Sequence, residues 1–174
     1  MASIDLPRTR ALLARTPVAL DALLRGLPDA WVRWTEPGGW SALGVVGHLI
    51  HGERTDWIPR ARHLLEHGVA RPFEPFDREA QSRWPQDVPL EVRLDEFAAE
   101  RRASLAALAE LRLDAVKLAR RGLHPKLGPV TLSELLGTWA VHDLAHLGQI
   151  ARILAKARAG EVGPWSAYLP ILSR

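Results

Sequence analysis

The chain has no cysteine and no asparagine, and a single methionine, a single tyrosine and three phenylalanines in 174 residues. Without cysteine there is no disulfide, no thiolate metal site and no cysteine nucleophile, so any bound metal must be held by His, Asp or Glu. No apolar run approaches the ~18 residues of a membrane span. The opening segment, Met1-Ala-Ser-Ile-Asp-Leu-Pro-Arg8, lacks the apolar stretch of a secretion signal, and a cytoplasmic protein with no membrane partner is the expectation. Basic blocks are missing as well. Lys and Arg number 23 against 20 Asp and Glu, and the signs alternate, as in Glu53-Arg-Thr-Asp56 and Glu100-Arg-Arg102. That pattern gives no dedicated electrostatic footprint for nucleic acid. Seven Trp are scattered at 31, 34, 40, 57, 84, 139 and 165, without a strand platform for stacking bases, and are read as core or loop anchors.

What is present is an ordinary globular composition, 47% hydrophobic and 25% charged, of a length that fits one domain over residues 1–174. Strand signals are nearly absent, and four helical segments stand out. The first runs from about Pro7 to Gly26 with Leu12, Leu13, Leu20, Leu23 and Leu24 on one face, and Thr16-Pro17 predicts a kink or a broken first turn. The second starts after an N-cap at Ser41, is expected to kink at Pro59 and ends at His67-Gly68. A long non-helical stretch, 69–88, is a candidate wall or lid over a site. The third helix covers about Pro89 to Leu113, with a further turn or two within 114–122 and a turn-rich link or short hairpin over 122–129. Thr131-Leu-Ser-Glu134 is a capping box that opens the fourth helix, which continues to Ala159-Gly160. The tail after Val162 is apolar enough to pack back on the body. The architecture is an all-α four-helix bundle.

His142 and His146 lie one turn apart on the fourth helix, a spacing that puts both imidazoles on one face. With Gln149 they form a polar island on a stripe otherwise made of Leu135, Trp139 and Ile153. Such an island costs several kcal/mol if it is buried unsatisfied, and a metal satisfies it. The best third ligand is His48. Its face neighbours are Ser41, Gly44, Gly52 and Thr55, small residues read as leaving room for a metal and a substrate. Facing helices of a bundle are a known place for such sites.

The other histidines read differently. His63 and His67 also form an i, i+4 pair, but they lie at least 15 residues past His48, about 22 Å along a helix, and read as surface residues at a helix C-terminus. His51 is a fourth ligand, a nearby base or a partly buried residue bonded to Glu53 or Asp56. His124 orders its turn. His142-Asp-Leu-Ala-His146 imitates the zinc-protease motif with Asp in place of Glu, but no sheet is available to bind an extended peptide. Asp143 is read as a partner of the ligands or as a surface carboxylate.

These residues resemble the DinB-like superfamily, which includes YfiT-like metal-binding bundles and thiol-dependent transferases. The resemblance rests on Trp40-Ser41 followed by Gly47-His48-Leu-Ile-His-Gly-Glu53, on Phe73-Glu-Pro-Phe-Asp-Arg78, on Leu135-Leu-Gly-Thr-Trp-Ala-Val-His-Asp-Leu-Ala-His-Leu-Gly-Gln-Ile150 and on Val162-Gly-Pro-Trp165. It implies an up-down-down-up bundle, a divalent metal (nickel or zinc) on His48, His142 and His146, and a homodimer. The function expected is a metal-dependent S-transferase or hydrolase acting on a small molecule. The absence of cysteine fits a low-molecular-weight thiol that arrives as cosubstrate. His51, Asp56, Asp77 and Gln149 are the candidates for proton handling or orientation. The alternative is a non-catalytic metal-binding stress-response scaffold that works through its dimer surface.

Overall fold

A computed structural model of the chain describes residues 4–173, so the start of the Met1–Arg8 segment lies outside the described residues. Four long helical rods make the body: α1 (Leu6–Leu24); α3 (Ala42–Thr55) continued by α4 (Trp57–His67); α5 (Leu90–Glu110); and α7 (Leu132–Ala157). Two short helices, α2 (Asp29–Val32) and α6 (Ala115–Ala119), and an antiparallel hairpin, β1 (Arg121–His124) with β2 (Gly128–Thr131), fill the connections. Among the described residues, no helix is long and apolar enough to cross a membrane.

Side-chain pairs fix the directions. Arg25 meets Asp95 while Arg101 reaches Leu13, so α1 and α5 are antiparallel. Thr16 bonds Asp143, and Leu20 and Leu24 share a cluster with Ile150 and Ile153, so α1 and α7 are parallel. Leu43, Val45 and Val46 pack with Leu90, Leu94 and Phe97, whereas Ile58, Ala61 and Leu64 pack with Leu108, which makes the α3–α4 rod parallel to α5. The bundle is up-down-down-up. Two consecutive rods that run the same way need a connection as long as the bundle, which explains why 69–88 is so long.

The local signals hold with instructive exceptions. Ser41 Oγ accepts from Gly44 N at 3.0 Å, and Thr131 and Glu134 satisfy each other's backbone donors. The second rod breaks at Asp56 and not at Pro59. Pro59 has no N–H for the Thr55 carbonyl, so the interruption falls one turn ahead of the proline. Pro17, in contrast, leaves α1 a single helix. The tail does not bury itself: Trp165 is 71% and Tyr168 is 82% exposed.

The core falls into two apolar clusters. One centres on Val45, Val46, Leu49, Phe97 and Ile150, the other on Leu13, Trp57, Leu64, Leu136 and Trp139. Between them lies a polar layer to which every rod contributes, α7 with two groups. Arg101 Nη1 donates to Asp143 Oδ2 at 2.6 Å and Nη2 to Glu53 Oε1 at 2.7 Å. Thr16 Oγ1 donates to Asp143 Oδ2 at 2.6 Å, and Trp139 Nε1 to Glu53 Oε1 at 3.1 Å. Both ion pairs are 1% exposed on each side. Arg101 therefore does not belong to the solvated charge pattern that Glu100-Arg-Arg102 suggests, and Asp143 is not a surface carboxylate.

Candidate metal centre

His48, on α3, is 2% exposed. His142 and His146 come from α7 and are half-buried. The polar layer sets both rods against each other, since Glu53 follows His48 by five residues and Asp143 follows His142 directly. One ring nitrogen of each histidine lies within 4.8 Å of the others. His142 Nε2 is 3.3 Å from His48 Nε2 and 3.0 Å from His146 Nε2. Metal–nitrogen bonds of ~2.0–2.1 Å at tetrahedral or octahedral angles place ligand nitrogens ~2.9–3.4 Å apart, so the spacing fits one shared ion.

Protonation fits as well. Gln149 Oε1 is 2.7 Å from His146 Nδ1, so that nitrogen carries the proton and Nε2 presents a lone pair. Burial, followed by the neighbouring His146, lowers His48 to about 4. Burial and the two other rings lower His142 to about 3. His146 is also lowered, chiefly by burial, against the opposing pull of Gln149 and Asp143. Three neutral rings with their nitrogens face to face are a donor set for a cation. Nδ1 of His142 is buried and has no hydrogen-bond partner among the described residues.

Aromatic rings enclose the triad. Trp40 lies 4.7 Å from His48 and 6.3 Å from His146, and Trp57 meets His142 edge-on at 5.0 Å while stacking on Trp139. Of the small neighbours of His48, Gly52 does something other than hold substrate space open. A Cβ on Gly52 would stand 3.3 Å from Trp57 Nε1, so the glycine makes room for a wall of the site. Trp40 and Trp57 are parts of that wall and Trp139 backs Trp57, roles that their scatter in the sequence conceals.

The open side of the triad faces a cavity of about 500 Å³. Its walls come from α4 (Asp56, Arg60), the 69–88 connection (Phe73, Phe76, Arg78), the hairpin (His124, Lys126) and the start of α7 (Glu134, Leu135, Thr138). The long connection is thus a wall of the site, as its length suggested. Asp56 lines the cavity as an ion pair with Arg60 at 2.6 Å, and burial raises its carboxyl above the usual range.

The other candidates stand elsewhere. His51 lies against Phe76 at 5.0 Å, and the same ring packs on His48, so Phe76 separates His51 from the triad. Asp77 is exposed and bound to Arg83, which holds its carboxyl below the ordinary value. Gln149 orients His146 and does not line the cavity. His63 bonds the Arg71 carbonyl at 3.0 Å and stands next to His67, away from the triad. His124 Nδ1 accepts from Lys126 N and Leu127 N at 3.1 Å each, which orders the hairpin turn and also brings its ring to the cavity.

The fold and the site describe a helical bundle that carries three convergent histidines in the lining of an amphipathic cavity. Residues 12–150 match the DinB superfamily model, and the chain belongs to that superfamily. Among solved structures it is similar to YfiT from Bacillus subtilis, described as "a probable metal-dependent hydrolase with an unusual four-helix bundle topology". The TM-score is 0.76 and the identity 22%, over 92% of each chain. At that identity the likeness is one of fold. Curated proteins give no match.

Proposed function

We propose that this chain is a hydrolase of small molecules that depends on a divalent metal, nickel or zinc, held by His48, His142 and His146. The observation that carries the reading is the convergence of three neutral Nε2 atoms at 3.0 and 3.3 Å in the lining of a cavity of about 500 Å³. Three protein ligands leave a coordination position open, as catalytic sites do and structural ones do not. The ion supplies Lewis-acid chemistry, stabilising negative charge that develops on an oxygen and making water a nucleophile near neutral pH. In the hydrolysis, the water oxygen adds to an acyl carbon, the bond to the leaving atom breaks, and the leaving atom takes a proton. Asp56 is the wall carboxylate suited to move that proton. Glu134 is committed to the Thr131 cap, which holds its carboxyl below the usual range.

A second reading, thiol-dependent S-transfer at the same centre, draws support from the absence of cysteine, since the thiol would have to come from solution. A third, the metal-binding scaffold acting as a dimer, draws support from the exposed Val141 and Leu144 on α7. The test is metal analysis of the purified protein, followed by ester and amide hydrolysis with and without chelator and with and without added thiol. Stoichiometric metal and chelator-sensitive, thiol-independent turnover, both lost in His142→Ala, support the hydrolase. Turnover that requires thiol moves the assignment to transfer. Stoichiometric metal without turnover in either assay leaves the scaffold, and folded protein that takes up no metal excludes all three.

A further inference from the structure

The 69–88 connection carries three arginines, and two are bound within it: Arg71 lies 3.8 Å from Glu74, and Arg83 pairs with Asp77. Arg78 differs. Among the described residues it has no ion pair and no side-chain hydrogen bond, and it lines the cavity together with the three histidines. Across the cavity Lys126 is likewise without an ion pair among the described residues. The third cation of the wall, Arg60, is taken by Asp56. The lining also has an apolar part, with Phe73, Phe76 and Leu135.

We propose that Arg78 is the anchor for a carboxylate on the substrate, so that the site takes small amphipathic acids whose apolar body lies against Phe73, Phe76 and Leu135. This inference rests on the hydrolase reading for the reaction but not for the binding. A single planar guanidinium with both edges free matches a carboxylate in a two-point contact. Phosphate is the weaker match. Helix N-termini are the usual phosphate seats, and the two that reach this cavity, those of α4 and α7, already carry the carboxylates of Asp56 and Glu134. Free positive charge in a cleft with apolar walls also raises the local concentration of anions. The bound headgroup holds the apolar body in register beside the histidines, which selects for the length between the acid and the bond that is cut.

The test uses metal-free full-length protein, so that a carboxylate cannot bind by ligating the ion. Binding of 4-phenylbutyrate and of its uncharged amide is measured by calorimetry. The acid is expected to bind more tightly than the amide. Arg78→Ala should weaken the acid about tenfold or more, the range of a hydrogen bond to a charged group, and leave the amide nearly unchanged. Arg78→Lys should recover part of the loss, and Arg83→Ala, which removes a cation already paired with Asp77, should leave both probes as they are. Equal affinity for acid and amide, equal weakening of both in Arg78→Ala, or no binding of either probe overturns the proposal. His142→Ala separates the two ideas. Acid binding that survives there while metal uptake is lost shows that the carboxylate subsite stands whether or not the chain is a hydrolase.

Discussion

Arg101 Nη1 donates to the backbone carbonyl of Leu13 at 2.8 Å, and that carbonyl is the one that Pro17, four residues on, leaves without a helical donor. A proline inside a helix normally breaks it because a buried carbonyl goes unpaired. Here a guanidinium from α5 takes the place of the missing N–H, and α1 continues. The same guanidinium holds Asp143 and Glu53, and its Cζ lies 5.0 Å from the Phe97 ring and 5.1 Å from the Trp139 ring.

Replacing Arg101 should therefore be among the most costly single changes in the chain. Arg101→Met keeps the volume but leaves Glu53 and Asp143 as buried carboxylates without a cation, and the Leu13 carbonyl without a donor. Breaking a buried pair in this way costs about 3–5 kcal/mol. Urea unfolding followed by Trp fluorescence measures it. A loss below about 1 kcal/mol would mean that the carboxylates take up protons or water without penalty, and would remove the polar layer as the element that locks the rods.

Gln149 should control metal affinity without touching the metal. Its Oε1 accepts from His146 Nδ1 at 2.7 Å and so fixes which nitrogen faces the ion. Gln149→Leu is expected to lower affinity about 10–100-fold, the usual effect of removing such a support. Gln149→Glu, which retains the acceptor, should not. Competition against a zinc chelator reads both. Equal affinity in the wild type and Gln149→Leu would show that the ring is held by packing on Trp40 alone.

The triad was legible because helix periodicity converts spacing into direction. His142 and His146 at i, i+4 must share a face, and His48 is the histidine of the second rod whose surroundings differ from a surface. Other features were hidden for definite reasons. Arg101 sits in a stretch of Ala, Glu and Arg, where a charged residue reads as solvated. Its burial was visible only in its spacing from Phe97, Ser104 and Leu108, all buried on the same face. That the 69–88 connection walls the site was legible from its length, but which of its side chains do so was not, because Phe76, Arg78 and Lys126 lie on a loop and a hairpin turn. No periodicity there says which way a side chain points. The exposed tail shows the limit of reading burial from composition, since Trp165 and Tyr168 are apolar and yet face outward.

Proton competition at the triad should be unusually weak. Only a neutral imidazole ligates, and burial holds His48 near 4 and His142 near 3, below the 6.5 of a free histidine. The neutral form therefore persists as the pH falls, and zinc should remain bound at pH 5, where an exposed histidine site has largely released it. The same shifts act on the metal-free protein with a definite sign. Folded-state values below the unfolded value give stability that is complete above about pH 6.5 and is lost as the pH falls from there towards the folded-state values of about 4 and 3. Zinc retention after dialysis at pH 5, together with thermal unfolding of metal-free protein between pH 7 and 4, checks both. Release near pH 6 would contradict the burial assigned to these rings.

Gly122 and Gly137 should respond in opposite directions to the same substitution. A Cβ on Gly122, in β1, would stand 2.9 Å from Leu64 Cγ and 3.0 Å from Phe73 Cζ, so the hairpin closes on α4 and the connection through this position. Gly122→Ala must push Leu64 or Phe73 aside at a cost of about 1–3 kcal/mol. In a chain of this size each kcal/mol lowers the melting temperature by about 2–4 °C. Phe73 also lines the cavity, so the change should loosen binding there as well as lower stability. Gly137 lies inside α7, and its added Cβ meets nothing within 4 Å. Gly137→Ala removes backbone freedom from the unfolded chain and should stabilise by about 0.5–1 kcal/mol. Thermal unfolding of the two variants side by side decides the matter, and a Gly122→Ala protein as stable as the wild type would show that the hairpin does not pack on Leu64 and Phe73 as closely as these contacts require.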